Sequence, residues 1–217
     1  MAGGPVRLRS SASPTLRSVN PRIVIALVVV AVAAFAAVAL AAGSSDEGAG
    51  GDGERFAGST LPAGLMAPEL GLADEEGEQV RMSELRGEPA IVTFLYSNCD
   101  DSCPAQAQQV KGALDELGRD LPALAISVDP ANDTRDSARA FLSEQRMTGR
   151  MRFVLGTRPQ LRRVWRGYGV APQIDDLDHT ARIVLVDADG VQRVGYPLGE
   201  VTPERLAHDL RLLAAGR

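Results

Sequence analysis

Cys99 and Cys103 are the only two cysteines in a chain of 217 residues, and they stand four apart in Cys99-Asp-Asp-Ser-Cys103-Pro104. Proline suits the first position of a helix, so a helix opening at Pro104 is expected, with Cys103 directly before it. A helix N-terminus offers unpaired N–H groups and about half a positive charge, which favour a thiolate over a thiol. Asp100 and Asp101 push the other way, because nearby negative charge disfavours thiolate formation. At this spacing both sulfurs can point to one side, and such a pair can exchange disulfides or hold a soft metal ion. An inert structural disulfide is the plainer reading, but so short a ring is worth only roughly 2 kcal/mol and would join residues that are already neighbours. Two cysteines are too few for an all-cysteine zinc site.

Only two histidines, His179 and His208, can add to the pair. His208 lies in a C-terminal helical pattern whose apolar face is Leu206, Leu210 and Leu213; an offset of two residues puts it on the solvent side. His179 follows Asp175, Asp176, Leu177 and Asp178 at the entrance to a strand, 76 residues beyond Cys103. Loops at the strand ends of an α/β sheet converge on one edge, so His179 can approach the cysteine loop if its strand ends there. Two thiolates and one imidazole would then form a soft three-ligand site that suits copper(I), whereas zinc would keep a fourth position for water. Met147 and Met151 read as packing residues, as do Trp165 and Tyr168.

The elements that must position these residues alternate. Leu70–Ala73 and Gln79–Met82 flank the turn residues 74–77 as a hairpin, followed by one helical turn capped by Ser83. Ala90–Tyr96 is a continuous apolar run, expected as a central strand buried on both faces. A helix over Pro104–Leu117 closes at Gly118, and Leu121–Val128 is a second buried strand. Asp133 or Thr134 caps a helix running to Gln145, Met151–Leu155 is a short strand, and Thr157 caps a helix carrying Pro159. On that helix Leu161, Val164, Trp165 and Tyr168 form one apolar face. Arg182–Val186 and Val191–Tyr196 make a second hairpin, and a last helix runs from Thr202-Pro203 to Ala214. This alternation predicts an α/β fold with a mixed sheet flanked by helices and an added N-terminal hairpin.

Ile23–Ala42 holds 20 residues without a charge, enough to span about 30 Å of hydrocarbon as a single transmembrane helix. Arg7, Arg9, Arg17 and Arg22 precede it, whereas the first charges after it are Asp46 and Glu47, so residues 1–22 are expected in the cytoplasm and the remainder outside the cell membrane. The rival is a cleaved signal peptide ending near Ala39-Leu-Ala41, although such a leader normally has a shorter apolar core of about 7 to 15 residues. Without a cysteine near the end of the run, a lipid-anchored N-terminus is not expected. Residues 43–60 are rich in Gly, Ser and acid and read as a flexible linker. Residues 61–217 then form the folded domain. The chain totals 23 basic and 28 acidic residues. With four Arg and no acid in residues 1–42, the remainder carries −9, which makes it a poor binder of nucleic acid.

Three stretches carry a resemblance. Phe94-Leu-Tyr-Ser-Asn-Cys99 through Cys103-Pro104 resembles the CxxxCP segment of the Sco/SenC family, thioredoxin-fold proteins of cytochrome c oxidase assembly. Ser127-Val-Asp-Pro-Ala-Asn-Asp-Thr134 is similar to that family's SVDPxxDT, and Asp178-His179-Thr180 to its DH[ST] before a strand. Asp100 and Ser102 depart from the Pro and Val frequent there, and turn formation and helix capping explain Asp129 and Asp133 as well as any motif does. The resemblance, over roughly residues 67–212, implies a thioredoxin-like domain that binds a copper ion through Cys99, Cys103 and His179. It also implies a membrane-tethered chaperone serving the copper A centre of oxidase subunit II, with a thiol reductant protein as a second partner. Transfer of the ion calls for an exposed site with few ligands. The alternative is an extracytoplasmic thiol-disulfide oxidoreductase in which the same cysteines act on protein disulfides. A peroxide-reducing relative is disfavoured, because Val92 and Tyr96 stand where the PxxxTxxC pattern needs Pro and Thr.

Overall fold

The computed structural model describes residues 55–171 and 182–216. The expected transmembrane run 23–42, most of the linker and His179 lie outside the described residues.

The strands and helices, in chain order, are β1 (Ser59–Thr60), β2 (Leu72–Ala73), β3 (Gln79–Val80), β4 (Ala90–Leu95), α1 (Ser102–Leu117), β5 (Ala123–Ser127), α2 (Arg135–Glu144), β6 (Arg152–Val154), α3 (Arg158–Tyr168), β7 (Arg182–Val186), β8 (Gln192–Pro197) and α4 (Pro203–Ala214). Six strands form one mixed sheet in the order β1-β8-β7-β4-β5-β6, and β2 and β3 pair as a separate hairpin. β4 runs parallel to β5 and antiparallel to β7, and β5 runs parallel to β6. The C-terminal ends of β4, β5 and β6 and the start of β7 therefore share one edge of the sheet.

All six residues of β4 are buried, as its unbroken apolar run requires of a strand covered on both faces. Ile91 and Leu95 point into a core with Val110 and Leu114 of α1, Phe141 of α2 and Leu206 and Leu210 of α4. Val92 and Phe94 point the other way, into a second core with Leu161, Val164, Trp165 and Tyr168 of α3. The strand period of two thus divides one sequence between two cores. Met147 and Met151 pack in the first core, as their apolar context predicts.

Several boundaries differ from expectation, each for a local reason. α1 begins at Ser102, so Cys103 lies inside the first turn of the helix and Pro104 follows within that turn, where no intrahelical N–H is needed. Its C-terminus is as expected: Gly118 takes the left-handed conformation at φ 68° that closes a helix. The helical turn after β3 is a 3-10 turn over Met82–Leu85 flanked by Arg81, so Ser83 lies within it and does not cap it. Thr134 caps α2, with its hydroxyl accepting from the Ser137 N–H, and Asp133 does not.

The folded domain also starts before residue 61. Ser59 and Thr60 pair with Gly195 and Val194 of β8. The Ala57 and Gly58 N–H groups donate to the buried Asp209 carboxylate at 2.7 and 3.0 Å. A Cβ on Gly58 would come within 2.5 Å of Val194 Cγ1, so only glycine passes there. The polar composition of this stretch does not reveal its attachment, because backbone hydrogen bonds make it and side-chain hydrophobicity does not.

Candidate metal and thiol site

The loop leaving β4 and the first turn of α1 bring Cys99 and Cys103 together. The Cys103 N–H donates to Cys99 Sγ at 3.3 Å, and Ser102 Oγ lies 3.9 Å from the same sulfur. Both thiols are free. They are also more buried than a transfer site was expected to be: Cys99 keeps 6% of its surface exposed and Cys103 none. Approach from outside therefore runs by way of Cys99.

The two thiols differ in acidity. Burial pushes the Cys99 thiol up, but hydrogen bonds from the Cys103 thiol, the Asp101 and Cys103 N–H groups and the Tyr96 side chain outweigh it and bring Cys99 below the ordinary cysteine range. Burial drives Cys103 strongly upward, and its bond to Cys99 adds to that. Asp101, expected to oppose a thiolate through its carboxylate, here supports one through its backbone N–H. The arrangement is a nucleophilic or metal-ready Cys99 beside a proton-bearing Cys103.

A carboxylate holds the loop in place. Asp133 accepts from the Ser97 N–H at 2.7 Å and the Ser97 hydroxyl at 2.6 Å, and also from the Ser127 hydroxyl at the end of β5. Its neighbour Asp129 makes a turn, accepting from Asn132 at 2.7 Å. Burial holds the Asp133 carboxyl above the usual carboxylate range despite the bonds from Ser127 and Ser97. Asp133 thus ties the β4 and β5 exits together two residues before Cys99, a role that capping statistics hide.

Gln106 is a second residue that sequence reasoning missed. One turn beyond Cys103 and fully buried, it donates through Nε2 to Thr93 Oγ1 and, at 3.0 Å, to the Arg182 carbonyl. A carbonyl can only accept, so the amide nitrogen must face it. Its Oε1 is left without a hydrogen-bond partner. The only available signal was a glutamine amid small residues on the buried face of a helix.

His179 lies outside the described residues. The chain re-enters at Arg182, three residues later, and there the Gln106 bond fixes it to the helix that carries Cys103. Among the described residues no three His, Cys, Asp or Glu side chains gather to hold a metal ion. The two sulfurs are a soft donor pair that fits copper(I) once a third ligand joins them. His208 is half-buried, not fully solvent-facing. Its Nε2 lies 3.2 Å from the Arg55 carbonyl, and it takes no part in the cysteine site.

A family model described as SCO1/SenC matches residues 60–215. The chain is 27% identical over 139 residues to the human mitochondrial protein SCO1 homolog, covering 58% of this chain and 46% of that protein. It is 30% identical over 148 residues to protein SenC of Rhodobacter capsulatus, covering 62% of this chain and 66% of that one. The chain thus spans about half to two thirds of the length of these curated relatives. The structure of Bradyrhizobium japonicum ScoI with copper bound superposes with a TM-score of 0.58 at 30% identity, covering 68% of this chain and 99% of that one.

Proposed function

The chain belongs to the SCO1/SenC family, and from that premise we propose that it is a membrane-anchored copper chaperone whose cargo is held by Cys99, Cys103 and His179. The observation that carries this reading is the pair of free thiols at the head of α1, with donors converging on Cys99 Sγ. The copper-bound Bradyrhizobium relative supports copper as the cargo. The third ligand fits by reach: Arg182 is the third residue after His179, about 10 Å of chain at most, and it is fixed beside Cys103's own helix.

In this reading the copper A centre of cytochrome c oxidase subunit II receives the ion by exchange of ligands, one donor at a time. Ile23–Ala42 crosses the membrane once, and the folded domain acts on its outer side. A C-terminal alkaline phosphatase fusion is expected to be active; an inactive one, with stable fusion protein present, would place the domain in the cytoplasm.

The test of the site is a cuprous-ion titration of the reduced full chain against a competing chelator. The parent is expected to bind one ion, and His179→Ala is expected to lose about 10- to 100-fold in affinity. Equal affinity in the two proteins ends the three-ligand assignment, and no bound copper in the parent ends the chaperone reading.

The unequal thiols favour a second reading, a thiol-disulfide oxidoreductase. The Cys99 thiolate would attack a target disulfide, releasing one target thiolate and forming a mixed disulfide. Cys103 would then lose its proton and attack Cys99 Sγ, releasing the second target thiolate and leaving a Cys99–Cys103 disulfide for a thiol reductant protein to reduce. Turnover in an insulin reduction assay that survives His179→Ala would establish it.

A further inference from the structure

Four of the six exposed residues of α3 are arginine, beside Pro159 and Gln160 in its first turn. Arg158, Arg162, Arg163 and Arg166 are all exposed, while Leu161, Val164, Trp165 and Tyr168 on the opposite side are buried. Residues 155–174 contain no acid at all, in a molecule whose remainder beyond residue 42 carries −9. Elsewhere Arg81, Arg119, Arg139, Arg150, Arg152, Arg193 and Arg211 each meet a carboxylate, and the exposed Arg86, Arg135 and Arg146, which meet none among the described residues, are scattered along the chain and do not share one helix face. Among the described residues, the four on α3 meet none.

Apart from Arg166, which the dipole favours in the last turn, the helix gains nothing from this pattern. Arg158, Arg162 and Arg166 follow one another at four-residue spacing, where like charges repel, and Arg158 in the first turn opposes the helix dipole. The placement is informative as well. Trp165 Nε1 donates to the Ser127 carbonyl at 2.9 Å, and Asp133 joins the Ser127 hydroxyl to the Ser97 N–H, so α3 is keyed through β5 to the cysteine loop. The strap Ala57–Gly58 is held by Asp209 of α4, which packs in the core of the other sheet face. The strap Ala57–Gly58 therefore lies on one side of the sheet, and the arginines look out from the other.

We propose that this arginine face is the docking surface for an acidic patch on the protein that receives the copper ion. The inference rests on the chaperone reading and names what its partner must present: clustered Asp and Glu carboxylates, which guanidinium groups meet two bonds at a time. Anionic lipid is the weaker occupant, because apart from Pro159 the exposed side of α3 carries no aromatic or aliphatic side chain to enter a bilayer.

The test uses the full chain in phosphatidylcholine nanodiscs and the metal-free subunit II of the same cell. Association is measured without copper, at low and high salt, for the parent, for Arg162→Gln/Arg166→Gln and for all four arginines changed to Glu. The parent association rate is expected to fall steeply with salt; the double variant should lose about 10-fold and the quadruple variant about 100-fold, with its salt dependence gone. Copper bound per chain, thermal melting and copper release to a small chelator should stay unchanged. An unaltered association rate in a folded quadruple variant overturns the proposal. So does a parent that ignores subunit II but binds phosphatidylglycerol vesicles through the same arginines. If the parent holds no copper yet docks through the arginines, the chaperone reading fails and the docking surface stands; normal copper loading with arginine-independent docking is the reverse result.

Discussion

Cys99 and Cys103 differ in burial and in the bonds they make, and that difference has a chemical consequence. Cys99 retains a trace of exposure and a lowered pKa, whereas Cys103 is sealed and held protonated. In the reduced protein near neutral pH, iodoacetamide is expected to modify Cys99 first and Cys103 only on unfolding, as read by mass spectrometry of trapped peptides; equal rates would contradict the asymmetry. Asp133 makes a second residue-scale prediction. Its carboxyl is raised by burial, so the folded state binds the proton more tightly than the unfolded chain does. That contribution to stability is fully present below the ordinary carboxylate range near 3.9 and is lost as pH rises through the elevated folded value. Asp133→Asn removes this dependence and replaces the oxygen that accepts from Ser127 by an amide donor, while its remaining oxygen can still accept from Ser97, at a cost of about 1–3 kcal/mol at neutral pH. Urea melts should show the parent's advantage over the variant widening from pH 7 towards pH 4. A constant gap would show that the carboxyl does not titrate in this environment.

At the scale of elements, the site is a junction of four pieces: the β4 exit, the head of α1, the β5 exit and the β7 entrance. Gln106 and Asp133 are its fasteners. Gln106→Leu keeps the volume but takes the amide donor from the Thr93 hydroxyl and leaves the Arg182 carbonyl only the longer bond from that hydroxyl at 3.5 Å, a loss of about 1–3 kcal/mol in unfolding free energy. The same change loosens the strand that follows His179, so copper affinity should fall along with stability, whereas Thr134→Ala at the cap of α2 should cost about 0.5–2 kcal/mol and leave affinity unaltered. Chemical melts paired with chelator competition separate the two effects. The helices themselves were legible because their signals are local: Gly118 and Thr157 at helix ends, and the 161/164/165/168 face of α3. The fasteners were not, because a buried glutamine bonded to a strand 76 residues away leaves no periodic trace.

For the whole molecule, the N-terminal strap is part of the fold. A chain beginning at residue 61 would strip Asp209 of two backbone donors while it stays buried beside the Tyr196 hydroxyl, and would uncover the edge of β8. Such a truncation is expected to lower the unfolding free energy by roughly 2–4 kcal/mol relative to one beginning at residue 55, since an unsatisfied buried polar group costs about 1–3 kcal/mol and the lost edge pairing adds to it. Matched melting curves would show no difference if the strap were only a linker.

The order of strands and helices, the two-sided burial of β4 and the pairing of Cys99 with Cys103 could all be read from residue types and spacing, because each depends on neighbours within a few turns of chain. The family followed from three short motifs in order. What needed the tertiary structure was everything carried by distant partners: the β1 strap on β8, the grip of Asp133 on Ser97 and Ser127, the Gln106 bond to Arg182, and the clustering of four arginines without a carboxylate on the outward face of α3. Local sequence sets which groups are available, and only packing decides which of them meet.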